Sequence, residues 1–375
     1  MSSPNKLRVA VLFGGRSAEH EISLLSARFV VEALDRERFE PILVGIDKSG
    51  RWLLQEEARL LGGARDPRLA RLEQARPEVT LSAHPGASGE GSLAIGGGQG
   101  TAGVDVVFPV LHGPMGEDGS VQGLLELAGV PYVGAGVLGS AVGMDKDVMK
   151  RLLADAGLPM VPHLTIRRPA WDKGRETLLD RAMELGAPLF VKPANLGSSV
   201  GVSRALDRPS LARAMDEAFT FDTKVLVEKG LESPREIECA VLGNDEPIAS
   251  IPGEIVVDHE DGFYSYTAKY IDEKGATTRI PAELSAEEIR TVQSLSLATF
   301  RALECAGMAR VDLFLDRDRK LWVNEINTIP GFTAISMYPK LWEASGLPAK
   351  ELVSRLIELG LERAAVRARL RTSAS

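Results

Sequence analysis

Near the C-terminal end, the segments RVDLFL (310–315) and LWVNEIN (321–327) flank the polar stretch DRDRK. Side chains alternate faces along a strand, so Arg310 and Asp312 share one face of the first segment, and Glu325 and Asn327 share one face of the second. A turn at DRDR brings the two polar faces together, with Arg310 expected opposite Glu325 and Asp312 on the diagonal. Two carboxylates and an amide oxygen are hard ligands, suited to Mg²⁺ shared with substrate phosphates. One such strand would be ordinary for a hairpin with a solvated side. Two polar pairs at matched positions amid Val, Leu, Phe and Trp favour metal binding.

Three further clusters carry reactive or phosphate-holding residue types. In VKPANLGSSVGV a buried strand delivers Lys192, and the small-residue loop Gly197-Ser198-Ser199 follows. Such a loop lets backbone N–H groups approach phosphate oxygens, but its order and spacing exclude GxxxxGK[ST]. Alone it would read as a Gly-Ser turn; beside the hairpin and a second lysine, Lys146, it reads as a grip for ATP. In FGGRSAEHEIS, the Gly14-Gly15 turn exposes backbone donors, and Glu19 could hold a substrate ammonium. Glu19 and Glu21 equally suit a helix N-terminus. LHGPMGEDGS supplies His112, Glu117 and Asp118 at another strand end, where a lone histidine is more often structural.

The elements that must position these groups follow from the hydrophobic pattern. LRVAVLF, PILVGID and VDVVFPVLHG are continuous apolar runs of the kind buried in parallel sheets. EISLLSARFVVEAL has Ile22, Leu25 and Phe29 at helical spacing. This alternation predicts a parallel sheet with functional loops at the C-terminal strand ends. Residues 82–103, rich in Gly, Ser and Ala, are expected to be a flexible surface excursion. MDKDVMKRLLADAG reads as an amphipathic helix ending at Gly157. Strands are expected at LFVKP, GVSRAL, KVLVEKGL, REIECAVLG and PIASIPGEIV. A long helix opens with Ser285 and Glu288 at capping-box spacing. The tail RAAVRARLRTSAS is expected to be a frayed helix end.

Composition narrows the class. The 375 residues suit two or three domains, with 44% hydrophobic and 26% charged residues. A net charge of -8 and 5% aromatics argue against a nucleic-acid binder, though not against a local basic pocket. Cys239 and Cys305 stand far apart, which fits buried reduced thiols better than a disulfide or zinc site. The N-terminal apolar run leads straight into a glycine turn and reads as a strand, not a signal peptide. Leu127–Met144 is the longest uncharged stretch, but its glycines and Pro131 argue for turns over a membrane span.

Taken in order, GGRSAEHEIS, HGPMGEDGSVQG, MDK, VKPANLGSSVGV, YSYTAKY, RVDLFL and NEINTIPGFT resemble the D-alanine–D-alanine ligases of the ATP-grasp superfamily, over roughly residues 7–360. The resemblance implies a three-domain α/β ATP-grasp fold. Its parts would be a Rossmann-like substrate domain (1–143), a central ATP-grasp subdomain (144–231) and a catalytic domain (232–375) with a lid at 258–275. It implies ATP-dependent joining of two D-alanines through an acyl phosphate, for peptidoglycan precursors. The alternative is a related ligase with D-lactate or D-serine as second substrate.

By the same resemblance, Asp312, Glu325 and Asn327 hold two Mg²⁺ (or Mn²⁺), and a monovalent cation is admitted. Lys146, Lys192, Ser199 and Lys269 contact ATP phosphates. Glu228, Lys229 and Leu231 read adenine, and Glu236 holds the ribose. Glu19 orients the first D-alanine in a triad with Ser198 and Tyr270. Arg310 and the Gly331 N–H face the oxyanion. His112 and Ser336 bind substrate. Lys269-Tyr270 favours an amine acceptor. The resemblance also implies a cytoplasmic homodimer whose partners are D-alanine and ATP, with no nucleic acid and no membrane.

Overall fold

The computed structural model describes residues 6–63, 66–82, 91–96, 100–257 and 276–371. Strands and helices are numbered in chain order. The N-terminal sheet has the order β3–β2–β1–β7, formed by Trp52–Gln55, Phe39–Ile46, Leu7–Gly14 and Val106–Pro109. β1 pairs in parallel with β2 and β7, and β3 adds an antiparallel edge. β1 is buried from Val9 onward, as its unbroken apolar run requires. Helix α1 (His20–Ala33) buries Leu24, Ala27, Val30 and Val31. Leu25 and Phe29 pack at the margin of that face, so the core stripe is rotated from the one expected.

The Gly-rich excursion is not simply a surface loop. β4 (Val79–Leu81), β5 (Gly91–Ile95) and β6 (Gly100–Val104) form an antiparallel sheet. Leu93 and Val104 are buried in the N-terminal core, and that burial holds a segment whose composition suggests none. Residues 83–90 and 97–99 lie outside the described set.

The central sheet runs β10 (Ser203–Ala205), β9 (Leu189–Pro193), β11 (Lys224–Lys229), β8 (His163–Arg167), with antiparallel pairing throughout. Helices α6 (Arg168–Met183) and α7 (Arg208–Phe221) close a core that, among the described residues, draws only on this segment of the chain. The C-terminal sheet runs β15 (Ala276–Arg279), β14 (Gly253–Val257), β12 (Arg235–Gly243), β16 (Gly307–Leu315), β17 (Leu321–Asn327), with β13 (Ile248–Ala249) on β12. Helix α8 (Ala286–Ala302) starts at the expected capping box, in which Ser285 and Glu288 satisfy each other's backbone N–H. Cys239 and Cys305 are free and buried in the core between this helix and the sheet.

The first and last parts of the chain share one core. Val9, Val11 and Phe108 pack with Phe332, Tyr338 and Leu356. The tail is helical to Ala368 rather than frayed, but its residues 365–371 are exposed and 372–375 lie outside the described set; the part of the chain just before it belongs to this core. Helix α10 (Ala349–Ala368) runs through it after the short α9 (Met337–Ala344). Arg363 donates to the carbonyls of Gly134 and Tyr132. Its guanidinium lies 4.3 Å from the Tyr132 ring centre. Among the described residues no helix is long and apolar enough to cross a membrane.

Candidate active site

The hairpin β16–β17 gathers the polar residues expected of it, in a different register. Arg310 lies opposite Asn327 and Asp312 opposite Glu325. The cause is a bulge: Leu313 pairs with Val323, so Asn324 is one residue too many on β17. A bulge re-aims the side chains beside it, and Asn324 and Glu325 both line the same cleft. Arg310 grips Asp312 in a fork, Nε and Nη2 each 2.7 Å from a carboxylate oxygen. Asn327 donates to Asp312 at 3.0 Å. On the neighbouring strand Glu238 faces Asp312, and its Oε2 is 3.0 Å from Arg310 Nε. Burial alone would lower the Arg310 pKa, but Asp312 and Glu238 hold it above its usual value.

A cavity of about 730 Å³ lies between the central and C-terminal sheets. Lys146, Lys192, Ser198, Ser199, Glu228, Lys229, Leu231, Glu236, Asp312 and Glu325 line it. Lys146 stands at the first position of α5 (Lys146–Asp155), whose start is capped by Asp145. Its Nζ donates to the Leu196 carbonyl at 2.8 Å and lies 3.1 Å from Glu325 Oε2. Lys192, at the end of β9, meets Glu228 Oε2 at 2.7 Å and Asn324 Oδ1 at 3.2 Å. Burial would raise the Glu228 pKa, yet the Lys150 and Lys192 ammoniums drive it well below the carboxylate range. Ser198 and Ser199 both adopt positive φ, 51° and 59°, a conformation unusual for side-chain-bearing residues and frequent where a loop serves a site.

The amino-acid corner opens beside this loop. The β1 end turns through Gly14 at φ 89°, where a Cβ would lie 2.3 Å from the Ile46 carbonyl oxygen; only glycine fits. Glu19 follows as the residue before α1, without capping the helix through its side chain. Its carboxylate accepts the Ser198 hydroxyl proton, which ties the N-terminal domain to the phosphate-loop candidate. Glu117 accepts the Gly113 N–H at 2.6 Å. Desolvation, then the Glu19 charge, pushes its pKa up to about 8.

His112 is buried with both ring nitrogens engaged. Nδ1 faces the Ile329 carbonyl at 3.0 Å and Nε2 faces Ser26 Oγ at 3.1 Å. Its surroundings therefore hold the 329–332 loop against the first domain, and burial lowers its pKa. Ser26 also accepts the Phe332 N–H. Ser336 precedes α9, and its hydroxyl oxygen accepts the Thr333 backbone N–H and meets the Thr333 hydroxyl. Gly331 lies against it, since a Cβ there would be 3.0 Å from Ser336 Oγ. Glu19, His112, Arg310, Asn327, Gly331 and Ser336 are not among the residues lining the large cavity. Lys269, Tyr270 and the 258–275 lid lie outside the described residues.

Two family models match the chain: D-ala D-ala ligase N-terminus over residues 8–135 and D-ala D-ala ligase C-terminus over residues 152–358. The D-alanine–D-alanine ligase A of Escherichia coli (strain K12) is 50% identical over 369 residues, 98% of this chain and 99% of that protein. The chain belongs to the D-alanine–D-alanine ligase family. The D-alanine–D-alanine ligase of Shouchella clausii is also 50% identical, over 96% of this chain and 95% of its own. The solved D-alanine-D-alanine ligase of Coxiella burnetii has a TM-score of 0.83 at 39% identity, covering 98% of this chain and 97% of that one. The VanG D-Ala:D-Ser ligase of Enterococcus faecalis has a TM-score of 0.82 at 35% identity, covering 95% and 100%. The ligase fold is therefore shared by proteins named for different second substrates.

Within this ligase-family scaffold, the hairpin's donors suit a divalent cation. Asp312 and Glu325 supply carboxylates and Asn327 an amide oxygen, all hard ligands. Among the described residues no group of three His, Cys, Asp or Glu forms a cage by itself. Sequence reasoning missed Glu238, Asn324 and Lys150. Glu236 and Glu238 stand at period-two spacing at the start of β12, before its apolar run 239–242, and Lys150 stands one turn after Lys146; both spacings were legible. Asn324 was not, because nothing in LWVNEIN marks the bulge.

Proposed function

We propose that the chain joins two D-alanine molecules into D-alanyl-D-alanine at the expense of ATP, for peptidoglycan precursor synthesis. The observation that carries this reading is the Glu19–Ser198 hydrogen bond. It brings the Glu19 carboxylate beside a loop that lines the same cleft as Lys146 and Lys192. Glu19 would orient the first D-alanine through its ammonium. The carboxylate oxygen of that D-alanine would attack the γ-phosphate held by Lys146, Lys192 and the Ser198-Ser199 loop, displacing ADP and giving D-alanyl phosphate. Phosphoryl transfer of this kind depends on positioning and charge neutralisation. Mg²⁺ (or Mn²⁺), held by Asp312, Glu325 and Asn327, would supply neutralisation of the phosphate oxygens.

The amine of the second D-alanine would then attack the acyl carbon, expelling inorganic phosphate and losing a proton as the amide forms. Arg310 and the Gly331 N–H would stabilise the oxyanion, and Ser336 would contact the acceptor's carboxylate. Glu228, Lys229 and Leu231 would take the adenine, and Glu236 the ribose. Lys269 would reach the γ-phosphate, and Tyr270 would complete the triad and favour an amine acceptor. The domains that serve this chemistry are 1–143, 144–231 and 232–375. We place the enzyme in the cytoplasm as a homodimer, a state that sedimentation checks.

The direct test is ADP release from ATP as a function of D-alanine, with the dipeptide identified by mass. The expected result is one dipeptide per ADP; no dipeptide at saturating D-alanine, ATP and Mg²⁺ contradicts the reading. A second reading has D-serine or D-lactate as acceptor; the likeness to the VanG D-Ala:D-Ser ligase favours D-serine of the two. Competition between D-alanine and either acceptor separates the two: a mixed product as the main species supports the second reading.

A further inference from the structure

Lys150 has no part in the reaction described above. It lies on α5 four residues after Lys146, so the two lysines share a helix face. Lys146 reaches toward the hairpin, and Lys150 reaches toward β11. The Lys150 side chain is 1% exposed, and its ammonium lies 3.0 Å from Glu228 Oε1. It meets no well-aligned hydrogen-bond acceptor among the described residues. The other Glu228 oxygen is taken by Lys192, which also bonds Asn324 across the cleft. Lys192 is thus divided between two partners, whereas the one close acceptor of Lys150 is Glu228.

A buried ammonium with so few partners is expensive. Met149 and Leu153 are buried on the same helix, and a methionine would fill the space of Lys150 at lower cost. What the ammonium supplies is control of Glu228. That carboxylate lines the cavity together with Val161, Phe190 and Leu231, an apolar slot with one charged edge. An ionised carboxylate only accepts hydrogen bonds, at about four lone-pair sites. Lys192 lies against one oxygen and the Lys150 ammonium against the other, and lone-pair directions remain for an N–H group in the slot.

We propose that Lys150 is a specificity-determining positioning residue: it fixes the Glu228 carboxylate as an acceptor-only group at the base end of the cleft, so that the site takes a 6-aminopurine nucleotide and rejects a 6-oxopurine one. This rests on the reading that Glu228 faces the base of ATP. A 6-amino group donates to the carboxylate, while a 6-oxo group sets lone pair against lone pair. When Lys192 turns to the phosphates, Lys150 is the cation left to hold Glu228 in place.

The test compares ATP with ITP, which differ at position 6 of the purine and at the accompanying N1 proton. Binding of each Mg²⁺ complex to the full chain is measured by calorimetry without D-alanine, and kcat and KM are measured with it. Wild type is expected to prefer ATP by on the order of tenfold to a hundredfold, the scale of a hydrogen bond to a charged group. Lys150→Met should bring the two nucleotides to within about threefold by weakening ATP, with kcat at saturating ATP little changed. Lys150→Arg should retain the preference. In a Glu228→Gln background, Lys150→Met should not change the ratio further, because residues acting through one another are not additive.

The proposal is overturned if folded Lys150→Met keeps the wild-type ratio, or if ATP and ITP weaken in parallel. If Lys150→Met does not fold, Lys150→Arg decides: a kept preference supports the proposal and a lost one overturns it. A wild-type protein that binds both nucleotides equally also overturns it. A wild-type protein that prefers ATP in binding, yet makes no dipeptide, faults the ligase reading and leaves this one standing.

Discussion

Two charged clusters face each other across one cleft, and they are built with opposite excess. On the hairpin side, Asp312, Glu325 and Glu238 are balanced by Arg310 and Lys146: three carboxylates against two cations. On the β11 side, Lys150 and Lys192 are balanced by Glu228: two ammoniums against one carboxylate. The first cluster has negative charge left for a cation, and the second has positive charge left for an anion. A nucleotide phosphate with its metal would satisfy both at once. The overall charge of -8 hides this division, because it averages over a surface that is not the site.

The difference between the clusters can be broken by single substitutions. The largest expected effect is on stability, from Glu228→Gln. It leaves two buried ammoniums without their shared carboxylate, a loss of about 3–5 kcal/mol, read by denaturant unfolding. A variant as stable as wild type would mean that the cluster is not held as described. Next is Glu325→Gln on the hairpin side. Glu325 is partly exposed, so melting should change little, whereas turnover should fall on the order of 10²–10³-fold, as when one electrostatic contact to a reacting charge is removed. Its Mg²⁺ requirement should rise; wild-type turnover at limiting Mg²⁺ would count against the metal assignment.

Ser198→Ala removes the hydroxyl that bonds Glu19. A hydrogen bond to a charged group is worth about 1.5–3 kcal/mol, so kcat/KM for D-alanine should fall by about tenfold to a hundredfold, while ATP affinity changes little. An equal loss for ATP would move Ser198 wholly to the phosphate side. The smallest effect concerns His112, which the fold keeps uncharged. Burial depresses its pKa below the ordinary 6.5, so the unfolded chain takes up the proton first. Stability from this group is full above about pH 6.5 and falls as the pH drops below it, by at most about 1.4 kcal/mol per pH unit. His112→Gln should remove that component of the slope between pH 5 and 7, and an unchanged slope would contradict it.

The sequence made the hairpin legible because period-two alternation is local and two strands repeated it. It made Glu19 and Ser198 visible only as separate loops; the bond between them joins residues 179 positions apart. The hairpin register depended on the bulge at Asn324, which the neighbouring Lys192 engages from another sheet. The 91–104 strands were masked by glycine-rich composition, although Leu93 and Ile95 alternate as strand residues do. Arg363 looked like part of a solvated tail because its partners, Gly134 and Tyr132, lie 229 and 231 positions earlier in the chain. Local patterns gave chemistry, and tertiary packing gave its geometry.

The most direct test of the central claim uses D-alanine labelled with ¹⁸O in its carboxylate. If that carboxylate attacks ATP and is then displaced by an amine, one labelled oxygen passes to inorganic phosphate in each turnover. Phosphate carrying a single ¹⁸O, in step with dipeptide formation, is the expected result. Dipeptide formed with unlabelled phosphate would contradict it.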